Sequence, residues 1–388
     1  MCRLCPLRLA SSDREFGRNR PAAAGRTALS RREAGPQPRR AHPVEWRVPW
    51  RRAAWGIIPP VSRKRLLSGM QPTQAKLHLG NLEGALRNWV RLQRDYEMFC
   101  CVVDWHALTT MVENTQEIYE NSIGIATDYL AAGIDPETSV IFLQSQVKEH
   151  AELYLLFSMV TPLGWLERVP TYKEKRDSLE GSAEASHGLL GYPVLQAADI
   201  LLYKPYGVPV GKDQVPHLEL TREIARRFNY LFGETLPIIE NVLSEIPVMM
   251  GTDGRKMSKS YDNAIYIADS EDETAKKIQT AYTDPLKIRK DDPGHPEGCS
   301  VFSLHRVYNA QHAATVEEEC RAGARGCVQC KKECIEAVNG SLRAMRERRG
   351  ELERDRGFVL RVLDEGRQKA RAVAAETMKD VRSAMRLP

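Results

Sequence analysis

The chain predicts an α/β protein: a doubly wound parallel-sheet domain followed by an α-helical one. Three features of its 388 residues lead there. An apolar run, a glycine-containing loop and a helix start follow one another over residues 66–84. Downstream, short apolar runs alternate with longer helical patterns, the order that builds parallel strands joined by crossover helices. Beyond Ser260 the composition turns to Arg, Glu and Ala with almost no β-branched runs, which favours helix over strand.

The first 62 residues carry no element. Residues 1–65 hold 16 Lys and Arg against 4 Asp and Glu, a net of +12, while the whole chain is only +5 and the rest is −7. Any nucleic-acid surface on the body is therefore a local basic patch and not a global field. The Arg-, Pro- and Ala-rich stretch reads as a disordered extension, translated from upstream of a start near Val61. Its acid-poor composition also matches an organellar transit peptide.

Arg65-Leu66-Leu67 reads as a short buried strand, Ser68-Gly69 as a turn, and Gly80-Asn81 as the opening of a helix that runs through Trp89 to about Tyr96. Met98 to Asp104 reads as a buried parallel strand. A helix follows from Asn121 to Ala132, stopped by Gly133, then a strand over Ser139–Gln144 and a helix over Glu149–Val160. Glu271–Thr280 and most of 303–388 read as helices. The boundary falls near Ile267, giving a catalytic domain over 63–267 and a helical domain over 268–388. Ligands of such sheets lie at the carboxyl ends of strands, so Asp104-Trp105-His106 marks one edge of a site. No apolar run approaches the roughly 20 residues of a membrane helix; the expectation is a soluble cytoplasmic protein, or an organellar one if the extension is a transit peptide.

Two motifs carry chemistry. In the first, LLSGMQPTQAKLHLGNLEG, strand, loop and helix N-terminus make a nucleotide cradle. Backbone N–H groups and the helix dipole face phosphate oxygens. Gly80 lets a ring or ribose lie against the backbone. His78 and Asn81 stand where their donors reach phosphate or ribose. In the second, Lys256-Met257-Ser258-Lys259-Ser260, two lysines three apart on a loop present compact charges to a triphosphate. Such charge stabilisation dominates reactions at phosphate. Either motif alone has a bland reading, a helix cap or a solvated basic loop. Found in this order about 175 residues apart, they reinforce each other.

With both in place the chain resembles the class I aminoacyl-tRNA synthetases. The segments Gly191-Tyr192-Pro193-Val194-Leu195-Gln196-Ala197-Ala198-Asp199-Ile200-Leu201-Leu202-Tyr203 and Val208-Pro209-Val210-Gly211-Lys212-Asp213-Gln214 are similar to the tryptophanyl-tRNA synthetase family. The resemblance runs from about Arg63 to the C-terminus. It implies a Rossmann-like catalytic domain, a helical tRNA-anticodon domain, a homodimer, and ATP with Mg²⁺. It also implies ATP-binding positions at Gln71, Pro72, Thr73, Gly80, Asn81, Lys175, Gly211, Lys212, Asp213, Val248 and the five residues 256–260, with His78, Asn81, Lys256 and Lys259 as catalytic residues. Tyr192 and Gln214 match positions that hold the substrate ammonium and carboxylate, while His106, Gln196, Val208 and Val210 match the pocket lining.

Asp199 has a direct physical reading as well. The tryptophan ring offers one polar handle, an N–H that only donates, so a selective pocket needs a buried acceptor. An acceptor left unpaired would reject phenylalanine, by about 10⁴–10⁵ in sites built that way. Three departures from the family stand out: Gln74 replaces a usual glycine, Lys212 replaces an acid, and Gln196 replaces the methionine of some relatives.

Nine cysteines without a secretion signal imply a reducing compartment. Four follow the spacing Cys299-x20-Cys320-x6-Cys327-x2-Cys330. Thiolates so spaced suit a 4Fe–4S cluster or a tetrahedral zinc, or they remain free thiols. Some bacterial tryptophanyl-tRNA synthetases carry a cluster on a similar pattern, which makes the cluster the expectation. Cys334, one helical turn past Cys330, is not counted as a ligand; Cys100 and Cys101 read as strand core.

The expected function is ligation of tryptophan to tRNA(Trp) through tryptophanyl-adenylate. A tyrosine–tRNA ligase of the same class and a non-catalytic RNA-binding paralogue are the alternatives.

Overall fold

A computed structural model describes residues 63–170, 172–173, 186–211, 214–243 and 249–388. The N-terminal extension lies outside the described residues, and so do Lys175, Lys212, Asp213 and Val248.

Strand β1 (Arg65–Met70) leads through the loop 71–78 into helix α1, whose successive pieces are Leu79–Asn81, the π-helical Leu82–Leu86 and Arg87–Leu92. Strand β2 (Glu97–Val102) is followed by α2 (Asp104–Met111) and α3 (Ile118–Ala132), and β3 (Ser139–Leu143) by α4 (Glu149–Val160). Then come α5 (His187–Leu201), β4 (Gly207–Val210), α6 (Val215–Phe232) and β5 (Glu240–Leu243). The helical remainder is α7 (Glu271–Thr280), α8 (Ser300–Tyr308), α9 (Ala313–Arg321), α10 (Cys327–Arg354) and α11 (Arg356–Met385).

The five strands are parallel throughout, in the order β3-β2-β1-β4-β5. The chain lays strands to one side of β1, then returns to lay β4 and β5 on the other. This reversal beside β1 is the place where doubly wound sheets bind ligands.

Strands β1, β2 and β3 bury apolar residues on both faces because each face is covered. Leu66, Met98, Cys100, Val102, Ile141 and Leu143 enter one core; Leu67, Phe99, Cys101, Val140 and Phe142 enter the other. This period-2 partition is what burial on both sides demands. The first core takes in α1, α3 and, from the helical remainder, Cys334, Val338, Leu342, Val359, Val362 and Leu363. The second takes in α4, α5, α6 and the far end of α11 through Ala370, Ala374, Met378 and Val381. The C-terminal helices thus share both cores with the sheet, and from Pro60 onward the chain is one compact unit. Gly366 makes this possible: a Cβ there would stand 1.8 Å from the Ile141 carbonyl oxygen, so only glycine lets α11 lie against the edge strand β3. Covering that edge removes an open row of pairing groups.

Several local expectations shift. Ser68 and Gly69 are not a turn; they pair with Cys100 and Cys101 and carry β1 on to Met70. Asp104 opens α2 instead of closing β2. The first helix stops at Leu92, short of Tyr96, and α3 starts at Ile118, before Asn121. The helices at Glu149–Val160 and Glu271–Thr280 agree to the residue. Strands β4 and β5, of four residues each, left no periodicity long enough to read.

Candidate active site

The nucleotide half of the site is built where β1 ends. His78 caps α1: its Nδ1 accepts the Asn81 backbone N–H at 3.2 Å, while the Asn81 side-chain oxygen accepts the His78 N–H at 3.2 Å. This reciprocal box satisfies two helix-terminal donors. It also decides the tautomer: with Nδ1 accepting, the proton of the neutral ring sits on Nε2, which is left as a donor. Burial, with the charges of Lys259 and Lys256, lowers His78 to about 4. The ring is therefore neutral at pH 7, and both lysines of the second motif stand close enough to act on it. Gly80 is needed here because a Cβ would meet the His78 ring at 2.9 Å.

The second motif is tied to the first through backbone. Leu79 N–H donates to the Ile265 carbonyl at 2.9 Å and Ile267 N–H to the Leu77 carbonyl at 2.8 Å, a bridge centred on His78 and Tyr266. Within the loop, Met257 is buried in the first core, and its N–H donates to the Met249 carbonyl at 2.8 Å. Asn263, 1 % exposed, accepts the Ser258 N–H at 2.8 Å and donates to the Lys256 carbonyl at 3.2 Å and to Asp253 at 2.7 Å. The loop is pinned at Met257 and Asn263, with exposed Lys256 and half-buried Lys259 on either side of the anchor. Ser260 lies on the 3₁₀ turn Lys259–Tyr261. Gln74, the departure from glycine, hydrogen-bonds Tyr266 at this same bridge. Gln71 is exposed, Pro72 buried and Thr73 half-buried on the loop that enters α1.

The amino-acid half gathers at the ends of β2, β3 and β4. Tyr192, Gln196 and Asp199 are spaced i, i+4 and i+7 and so share one face of α5. Val208 is buried and Val210 half-buried on β4; Gly211 follows, and its carbonyl accepts the N–H of Gln214, which caps α6.

Asp199 is 3 % exposed and densely bonded. His150 Nδ1 stands 2.7 Å from its Oδ1 and His106 Nε2 2.9 Å from its Oδ2, and the Gln144 amide donates to both oxygens at 2.8 Å. Burial by itself would raise the carboxyl, but His150 and His106 outweigh it and hold Asp199 at about 2, so it is an anion at neutral pH. Gln144 and His150 escaped the sequence reading. The signal that marks Gln144 is its place just past β3, the counterpart of Asp104 just past β2. One expectation changes: the carboxylate's roughly four acceptor positions are filled with no substrate present, so phenylalanine is not rejected by an orphaned acceptor alone.

The four candidate ligand cysteines, 193 residues and more from His106 in sequence, line one cavity together with Lys287, His295 and Arg325. Cys299 caps α8, Cys320 lies in α9, and Cys327 and Cys330 occupy the first turn of α10. Burial raises the Cys299, Cys320 and Cys330 thiols, Cys330 to about 12, with the neighbouring thiols adding to it. Among the described residues no set of three or more His, Cys, Asp or Glu is arranged to hold a metal ion. Cys334, like Cys100 and Cys101, is core.

Comparison with known proteins agrees with this arrangement. The family model for tRNA synthetases class I (W and Y) matches residues 61–343. A tryptophan–tRNA ligase from Thermotoga maritima is 51 % identical over 326 residues, covering 83 % of this chain and 99 % of its own length. Another from Aquifex aeolicus is 44 % identical, covering 84 % of this chain and 100 % of its own. The crystal structure of tryptophanyl-tRNA synthetase from Campylobacter jejuni, complexed with ADP and tryptophan, superposes with a TM-score of 0.75 at 38 % identity, covering 83 % of this chain and all of that one. A tyrosyl-tRNA synthetase from Archaeoglobus fulgidus, at 21 % identity and TM-score 0.58, shares the fold. With a sheet whose switch point carries both motifs, and with relatives this similar over five-sixths of its length, the chain belongs to the class I tRNA synthetases, and within them to the tryptophan–tRNA ligases.

Proposed function

We propose that the chain activates L-tryptophan with ATP to tryptophanyl-adenylate and then transfers the amino acid to a ribose hydroxyl at the 3′ end of tRNA(Trp). The observation that carries this is the convergence of His78 with Lys256 and Lys259 at the end of β1. The tryptophan carboxylate attacks the α-phosphorus, the bond to the bridging oxygen breaks, and pyrophosphate leaves with its charge. Neutral His78 offers its Nε2–H to phosphate oxygen, Asn81 steadies the cap, and the two lysines take up charge on the leaving group. Little acid–base chemistry is required; positioning supplies much of the rate. Mg²⁺ bound to the triphosphate would supply further charge neutralisation there, beside that of Lys256 and Lys259.

The ATP site would draw on Gln71, Pro72, Thr73, Gly80, Gly211 and residues 256–260, with Lys175, Lys212, Asp213 and Val248 completing it. Asp199 would accept the indole N–H, Tyr192 and Gln214 would hold the ammonium and carboxylate, and His106, Gln196, Val208 and Val210 would line the pocket. Residues 268–388 would form the anticodon-side surface, and the active species would be a cytoplasmic homodimer. Among the described residues no helix is long and apolar enough to cross a membrane.

Pyrophosphate exchange across the twenty amino acids tests this reading. Exchange is expected with tryptophan and at least 10³-fold weaker with phenylalanine or tyrosine, in line with sites that read an N–H or OH. Exchange with tyrosine in place of tryptophan would transfer the chain to the other amino acid; none with any amino acid would leave an RNA-binding paralogue.

The cysteine cavity supports a 4Fe–4S cluster in donor chemistry. Four thiols line one cavity, the number a 4Fe–4S cluster takes with one thiolate at each iron corner, and also the number a tetrahedral zinc takes. Residues Cys299, Cys320, Cys327 and Cys330 would hold it, and its contribution would be to tie α8, α9 and α10 together. Protein purified without oxygen should be brown, with about four irons per chain. Cys327→Ser should remove the colour and impair tRNA charging more than adenylate formation. Colourless protein with one zinc would replace the cluster; colourless protein without metal would leave four thiols.

A further inference from the structure

The buried groups behind Asp199 form a frame that the residue roles above do not use. Gln144 and His150 are both 0 % exposed, and each is committed on two sides. The Trp105 backbone N–H donates to Gln144 Oε1 at 3.1 Å, which forces the amide nitrogen to be the end that faces Asp199. The neighbouring Ser145 N–H donates to Asp104 at 2.9 Å, so the segments after β2 and β3 are pinned to each other at the carboxylate. On the other side, His150 Nε2 stands 2.8 Å from the Tyr203 hydroxyl. Burial raises Tyr203 well above its ordinary range, so the hydroxyl keeps its proton and pairs with Nε2 as a neutral phenol. Asp199 is an anion that can only accept, so the ring nitrogen facing it, Nδ1, carries a proton directed at Oδ1.

We propose that Gln144 and His150 are positioning residues that set selectivity for the indole N–H, by fixing the Asp199 carboxylate in the one orientation from which it can accept it. This rests on Asp199 being the indole acceptor. His150 takes Oδ1 and Gln144 clamps both oxygens, so the carboxylate cannot rotate about its terminal bond without breaking three buried charge-assisted hydrogen bonds. His106, at the start of α2, is the remaining partner on Oδ2, and an indole N–H reaches the carboxylate by taking its place there. A tryptophan replaces the bond it displaces; a ring without N–H does not, and leaves a buried anion one donor short. Selectivity then depends on the frame holding still while His106 yields. A carboxylate free to turn would find other partners and stop discriminating.

The test compares pyrophosphate exchange with L-tryptophan and with β-(benzothiophen-3-yl)-L-alanine, in which sulfur replaces the indole N–H. The variants are Gln144→Met, His150→Leu, His150→Asn and Asp199→Ala in the full chain. The ratio of kcat/KM for the two amino acids should fall about tenfold or more in Gln144→Met and His150→Leu, the scale of one hydrogen bond to a charged group. The KM for ATP should not move. His150→Asn should restore most of the ratio, because its amide nitrogen stands where Nδ1 stood and still donates to Oδ1; a merely structural histidine would not be rescued this way. A wild-type ratio in Gln144→Met and His150→Leu, with Asp199→Ala collapsing it, would overturn the frame and leave the indole acceptor intact. A wild-type ratio in Asp199→Ala would overturn both. Should His150→Leu fail to fold, Gln144→Met decides, since it removes the amide clamp and leaves α4 unaltered.

Discussion

Replacing Lys259 with alanine lowers tryptophan-dependent pyrophosphate exchange by about 10²–10³-fold, the usual loss for one preorganised charge-stabilising donor. The KM for tryptophan should hardly change. The ammonium is needed as the triphosphate breaks, so its loss falls on kcat instead of on substrate binding. The loop geometry makes this a clean substitution. Met257 stays in the core and Asn263 keeps its bonds to Ser258 and Lys256, so the loop backbone survives without the Lys259 side chain. Turnover equal to the wild type would show that the 256–260 loop is a surface turn and not part of the leaving-group site.

Arg349→Met should destabilise the chain by about 3–5 kcal/mol, the cost of leaving one member of a buried ion pair alone. Arg349 on α10 donates Nε to Asp128 Oδ1 at 2.6 Å, and Asp128 Oδ2 accepts the Leu77 N–H at 2.7 Å. Asp128 is 0 % exposed, so without the guanidinium its charge has only the peptide next to His78 for support. The pH dependence has a definite sign. Burial raises Asp128 from 3.8 to about 6 even with Arg349 lowering it, and removing Arg349 raises it further. The folded state then holds this proton more tightly than the unfolded state, and stability falls as pH rises through the window between the two values. The variant's deficit in Tm should therefore be larger at pH 8 than at pH 5. Adding Asp128→Asn, whose side-chain oxygen still accepts from Leu77, should recover most of the loss. A pH-independent deficit would mean that Arg349 acts through its packing and not through Asp128.

Much of the fold was legible because it is local. The helix over Glu149–Val160 has its acids in the first turn, and the one over Glu271–Thr280 carries its own Ser270–Glu273 capping box; each states its ends within a few residues. Strand β2 was legible as an apolar run since both its faces are buried. Its end was misread because Asp104, polar after a run of apolar residues, looks the same whether it closes a strand or opens a helix. Ser68 and Gly69 looked like a turn because small polar residues favour turns, and only their pairing with Cys100 and Cys101 made them strand.

The sequence by itself determined the two motifs and their order, the apolar helix face that presents Asp199, and the four-cysteine spacing. These are properties of short windows, where spacing along the chain equals spacing on one element. The tertiary structure decided what those residues touch. His106, Gln144, His150 and Tyr203 reach Asp199 or one another from sequence separations of 49–93 residues, and Arg349 reaches Asp128 across 221. Packing also laid α10 and α11 on the sheet instead of apart from it, with Gly366 against Ile141. A buried polar group must find its partner wherever the folded chain brings one, and that choice belongs to the whole packed core.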